Sequence, residues 1–178
     1  GHAYSDTNQL ILNLKKSVDR RGRPEWRYKE LAISQAAAIL RGALKERARL
    51  TLVPVPPSKA RTDPEYDDRM LRLLQQVSAG RPYDVRELVV QVNSTPAAHL
   101  AERRPTPDEL VANYRLDERL AEPAPDMIFI VDDVLTTGCH YKAVKQVLRR
   151  RFPDATIRGL FVARRVPKSA FDAFDVLE

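Results

Sequence analysis

Apolar residues along the 178-residue chain fall into two kinds of segment that take turns. Short unbroken runs, "LTLVPV" (50–55), "RELVVQV" (86–92), "MIFIV" (127–131) and "TIRGLFVAR" (156–164), predict strands. Between them the apolar positions recur at helical spacing. Leu31, Ile33, Ala36, Ala37, Leu40, Ala43 and Leu44 predict a helix from Tyr28 to about Arg47. Met70, Leu71, Leu74 and Val77 predict one over 65–78, with acids placed early against its dipole. Residues 140–152 predict a helix directly after the third strand. Thr106, Pro107 and Glu109 spell a helix start, with cap, first-turn proline and capping-box acid in order. Residues 8–18, apolar then basic, read as either a strand or a short helix. Prolines and small polar residues make loops of 19–24, 56–64 and 93–105, and Pro56–Pro57 is a candidate cis bond.

Strands that alternate with helices imply right-handed crossovers and a mostly parallel sheet flanked by helices, a Rossmann-like α/β fold. The run 127–131 is apolar at every position, as expected of a strand covered on both faces. No repeat or linker divides the chain, so residues 1–178 read as a single domain, with Gly1 and His2 set aside as a tag remnant. The longest apolar run is too short to cross a bilayer, which predicts no membrane association. One cysteine, Cys139, excludes an internal disulfide and a cysteine-built zinc site and fits a cytoplasmic location.

Lys and Arg total 30 against 24 Asp and Glu, a net charge of +6 that suits an anionic partner. A phosphorylated metabolite and nucleic acid both satisfy that tilt. Aromatic residues do not interleave with the arginine clusters, which disfavours a groove that stacks single-strand bases.

The chemistry concentrates in "IFIVDDVLTTGCH" (128–140). In an open parallel sheet ligands bind at the carboxyl ends of strands, where this string places Asp132 and Asp133. Thr136, Thr137 and Gly138 then lead into a helix start, whose free N–H groups and dipole favour an anion. Acids for hydroxyl groups next to a phosphate nest suggest a sugar phosphate.

"IFIVDDVLTTG" resembles the phosphoribosyl pyrophosphate (PRPP) motif of the type I phosphoribosyltransferases. "LTLVPVPPSK", "STPAAHLAERRPTPDELVANY" and "LILNLKK" resemble segments of that family's ComF-like (competence protein F) branch, so the similarity spans roughly residues 8–165. It implies the type I phosphoribosyltransferase fold with a small or absent hood. It also implies transfer of ribose 5-phosphate from PRPP, with Mg²⁺, to an unidentified small-molecule acceptor, pyrophosphate being released. Asp132 and Asp133 would meet the ribose and assist catalysis. Leu135, Thr136, Thr137, Gly138, Cys139 and His140 would hold the 5-phosphate. Ser58, Lys59 and Arg61 would face the pyrophosphate. A loop over 94–104 carrying His99, Arg103 and Arg104 would close the site, and Arg164 and Arg165 would reach the ligand edge. A homodimer is expected from the family.

The chain also departs from that branch. It lacks the four-cysteine zinc module, "DPEYDDRM" stands where "RGFNQ" is usual, and His140 replaces a Thr or Ser. Two other readings stay open: a non-catalytic module that senses PRPP or a nucleotide, and a ComF-like accessory protein of DNA uptake that contacts nucleic acid.

Overall fold

The computed structural model describes residues 5–44, 50–96 and 105–165. Helix α1 (Asp6–Leu14) settles the ambiguous first segment as helical. Ser5 caps it by accepting the Asn8 N–H at 3.2 Å, and Leu10, Ile11 and Leu14 form the stripe it buries. Helix α2 (Arg27–Ala43) turns Ala32, Ile33, Ala36, Ala37 and Leu40 inward. The helix stops at Ala43, where Leu44 turns extended, short of the expected Leu44 and Arg47; residues 45–47 lie outside the described residues. There follow β1 (Leu50–Pro54), α3 (Arg69–Ser78), β2 (Tyr83–Val85), β3 (Val89–Gln91), α4 (Pro107–Asn113), β4 (Tyr114–Leu116), β5 (Met127–Leu135), α5 (Cys139–Arg151) and β6 (Thr156–Arg164).

Strands β2-β1-β5-β6 form one parallel sheet, in that order. Alternation along each strand divides its side chains between two layers. Leu50, Leu52 and Val131 pack with α1, α2 and α3 on one face. Val53, Ile128 and Ile130 pack with α4, α5 and an antiparallel β3–β4 ribbon on the other. With both faces covered, β1 is buried at every position.

The sequence and the structure part company at two strands, one helix and one peptide bond. "RELVVQV" contributes no strand to the main sheet: Val89–Gln91 pairs instead with β4, Gln91 opposite Tyr114. The sheet position next to β1 is taken by Tyr83–Val85, where only Tyr83 is buried, so hydropathy hardly marks it. Helix α3 starts at Arg69, after the acids Glu65, Asp67 and Asp68, so its first turn is not acidic. Its buried face is Met70, Leu73, Leu74 and Val77, with Leu73 in place of the expected Leu71. Among the described residues the cis peptide is Glu122–Pro123, not Pro56–Pro57. The predicted start of α4 is borne out: Thr106 and Glu109 form a reciprocal capping box, with Pro107 at the first position. No helix among the described residues is long and apolar enough to cross a membrane.

One feature of the sheet positions the site. Pairing of β1 with β5 ends at Pro54 opposite Val131, whereas pairing of β5 with β6 continues to Leu135 opposite Arg164. Residues 132–135 therefore project past β1 with a neighbour on one side only, leaving the carboxyl edge open above β1.

Behind that edge Gly159 on β6 lies against an edge-to-face ring pair, Tyr141 and Phe161, whose centroids are 5.9 Å apart. A Cβ at Gly159 would sit 2.8 Å from Phe161 Cε2 and 2.9 Å from Tyr141 Cε2. Overpacking of this kind costs about 1–3 kcal/mol. Gly159→Ala should lower the urea midpoint accordingly, and an unchanged midpoint would show that the rings have room to move.

Candidate functional site

Because successive side chains on a strand point to opposite faces, Asp132 and Asp133 cannot act as a matched pair. Asp133 points into the α1–α3 layer and is 3% exposed. Its Oδ1 lies 3.0 Å from Lys15 Nζ, just after α1, and its Oδ2 accepts from Arg69 Nη2 at 2.7 Å, at the start of α3. Arg69 Nη1 also donates to Asp67 Oδ2 at 2.7 Å, and Lys29 Nζ donates to that same oxygen at 2.8 Å. Lys29 is fully buried in α2, donates to the Lys16 carbonyl at 2.6 Å, and lies against the Trp26 ring. Charges thus alternate from Lys15 through Asp133, Arg69 and Asp67 to Lys29.

Burial would raise the Asp133 pKa, but the Arg69 and Lys15 charges outweigh it and hold the carboxyl below its usual range. Asp67 is held low in the same way, burial being outweighed by Arg69 and Lys29. Asp132 faces the other layer, where no cation among the described residues pairs with it. Burial, reinforced by the negative charge of Asp133, pushes it up to about 7. Its Oδ1 accepts the Asp133 N–H at 2.8 Å.

After Leu135 the chain turns through exposed Thr136 and Thr137 to Gly138, which caps α5 with φ 76°. That left-handed conformation is what a glycine supplies at little cost. Cys139 opens α5, and its Sγ accepts from Thr137 Oγ1 at 3.2 Å. His140 Nδ1 lies 2.8 Å from the hydroxyl of Tyr114, a residue 6% exposed on β4. Cys139 and His140 engage different partners, so no Cys–His nucleophile is assembled. Burial lowers the His140 pKa, partly offset by Asp133, and the ring is neutral at neutral pH.

The expected pyrophosphate residues are already committed elsewhere. Lys59 pairs with Glu65 at 3.0 Å and Asp63 at 3.9 Å. Arg61 pairs with Glu87 at 2.8 Å and Asp117 at 3.3 Å. The Ser58 carbonyl accepts from Thr95 N at 2.8 Å and from the Gln91 amide, which ties this loop to the β3–β4 ribbon. Arg61 also lines a cleft of about 400 Å³ with Val90, Arg115 and Arg119 on the outer side of the ribbon. The cations brought to the acidic strand are instead Lys15 and Arg69. Arg69 carried a usable signal, since it stands one turn before buried Leu73 on the apolar edge of α3. Lys15 and Tyr114 fall within segments that resemble the family, but no local pattern assigns them to the site, because they reach it only through long-range packing.

Arg164 and Arg165 do lie at this edge, exposed, with the Arg165 N–H donating to the Leu135 carbonyl at 2.9 Å. His99, Arg103 and Arg104 lie outside the described residues. Among the described residues no three His, Cys, Asp or Glu side chains are grouped to hold a metal. With both Asp133 oxygens on cations, the donors do not fit a protein-built Mg²⁺ site. Compared with protein-family models and with curated proteins, the chain finds no match.

Two predictions follow from the charge chain. Arg69→Met leaves Asp133 buried beside Lys15 alone, and breaking such a pair costs about 3–5 kcal/mol in chemical denaturation. The acids should also respond oppositely to pH. Stability from Asp133, whose folded pKa is lowered, is present above its unfolded pKa and lost as pH falls through the folded value. Stability from Asp132, whose folded pKa is raised, is present below the ordinary 3.8 and lost as pH climbs to about 7. The stability of Asp132→Asn relative to the wild type should therefore rise across that window, and a flat difference in melts at several pH values would contradict it.

Proposed function

We propose that the protein binds PRPP at the carboxyl edge of β5 and transfers its ribose 5-phosphate to a small-molecule nucleophile, releasing pyrophosphate. The observation that carries this reading is the extension of β5 past β1 into a glycine-nested helix start, which sets a carboxylate beside an anion-favouring turn. A helix terminus contributes about 0.3–1 kcal/mol, whereas micromolar binding needs roughly 8 kcal/mol. The turn therefore needs help from charge. Lys15 is one available cation, beside the exposed Arg164 and Arg165: it is itself exposed, and Asp133 occupies only part of its capacity for three hydrogen bonds.

In the reaction, the C1–oxygen bond of the ribose breaks and its electron pair leaves with pyrophosphate. The acceptor's lone pair forms the new bond to C1, and the acceptor's proton passes to a base. Positive charge gathers on the sugar, so cations are needed at the leaving group and water must be kept out. Asp132 suits proton transfer better than Asp133, because a group that titrates near neutral pH can both take and return a proton. Asp133, held ionised between two cations, serves to fix Lys15 and Arg69. Mg²⁺ would enter on the phosphate oxygens of the ligand. The commitment of Asp133 also favours a second reading, a site that binds PRPP or a nucleotide as a signal without turnover.

Titration calorimetry with Mg-PRPP should show saturable binding by the wild type. Asp132→Asn should weaken it roughly ten- to hundredfold, the usual loss for a hydrogen bond to a charged group. Pyrophosphate release in the presence of nucleobases or amines separates transfer from sensing. Absence of wild-type binding to Mg-PRPP would overturn transfer and PRPP sensing, and absence of binding to nucleotides as well would overturn the second reading.

A further inference from the structure

We infer that Tyr114 is a positioning residue that fixes His140 as its Nε2–H tautomer, so that the ring donates a hydrogen bond to the ligand's phosphate. This rests on reading the 135–140 turn as the phosphate site.

The inference starts from the phenol. Tyr114 is buried between the ribbon and α5, and a buried hydroxyl must donate to something. The partner within hydrogen-bond distance of it among the described residues is His140 Nδ1, at 2.8 Å, so the hydroxyl's proton points to that nitrogen as acceptor. A neutral imidazole carries one proton, and if Nδ1 accepts, that proton is on Nε2. No protein partner is recorded for Nε2 among the described residues. One turn thus contains backbone N–H groups freed by the start of α5, exposed threonine hydroxyls and a ring N–H of fixed tautomer.

The charges around the ring agree with a neutral donor. Asp133 on β5 favours the imidazolium, Lys15 after α1 opposes it, and burial opposes it further. On β4, Tyr114 offers a hydroxyl and no charge at neutral pH, being held protonated by burial and by Asp132. A second proton on His140 would force Tyr114 to change from donor to acceptor. The neutral ring, with Nδ1 accepting from Tyr114, is therefore the arrangement these surroundings favour.

Nitrogen-15 NMR of the histidine side chains, with ribose 5-phosphate as probe, tests this. His140→Gln identifies the signals. In the wild type, Nδ1 should appear unprotonated and Nε2 protonated, and ribose 5-phosphate should move the Nε2–H resonance. Tyr114→Phe keeps the ring but should mix the tautomers and weaken ribose 5-phosphate about twofold, in proportion to the Nε2–H population lost. His140→Ala removes the donor and should weaken it roughly tenfold. His140→Gln should retain most of the affinity, since its amide can accept from Tyr114 and donate to phosphate. Thermal melts confirm that each variant is folded.

An Nδ1–H tautomer in the wild type, or Tyr114→Phe and His140→Ala binding as the wild type does, would overturn the inference and leave the sugar-phosphate reading standing. Failure of the wild type to bind either ribose 5-phosphate or Mg-PRPP would overturn that reading, and the role of His140 with it.

Discussion

Asp133 is a charge that the central strand cannot bury alone. An unpaired carboxylate in that position would be protonated or would unfold the edge. The cations that prevent this arrive from different elements, Lys15 from the end of α1 and Arg69 from the start of α3. Arg69 is oriented by Asp67, and Asp67 is held in turn by Lys29 of α2. A single acid on β5 thereby fixes how three helices meet the sheet. The site inherits its shape from this pairing, because the same contacts deliver Lys15 to the open edge.

The neighbouring acid has the opposite fate for the same geometric reason. Strand alternation turns Asp132 away from those cations and toward the layer that holds Tyr114 and α5. The result is two adjacent carboxyls with pKa values driven apart, one held low by cations and one raised by burial and by its neighbour. Such separation gives one residue to structure and leaves the other free to exchange a proton.

The sequence announced the parts of this arrangement that are local. Unbroken apolar runs located β1, β5 and β6, and the Thr106 capping box located α4, because those signals sit within a few residues of one another. The acidic turn is legible as the carboxyl end of a central strand, though not the fact that β5 runs through both acids, since hydropathy falls at Asp132 while the ladder to β6 continues. Lys59 and Arg61 are pyrophosphate candidates through family resemblance and their place in the loop after β1. In the folded protein, acids from Glu65, Glu87 and Asp117 neutralise them, while Lys15, far off in sequence, reaches the strand. The pairing of Tyr114 with His140 spans 26 positions and depends on how the ribbon packs on α5, so no local pattern could declare it.

The central claim, that residues 132–140 hold a sugar phosphate, is tested most directly by mapping amide resonances during a titration with Mg-PRPP. The account predicts shifts centred on Asp132 and on Thr136 to Tyr141, with a second group at Lys15 and Arg69. Shifts confined to the Arg115 cleft, or none at saturating ligand, would contradict it.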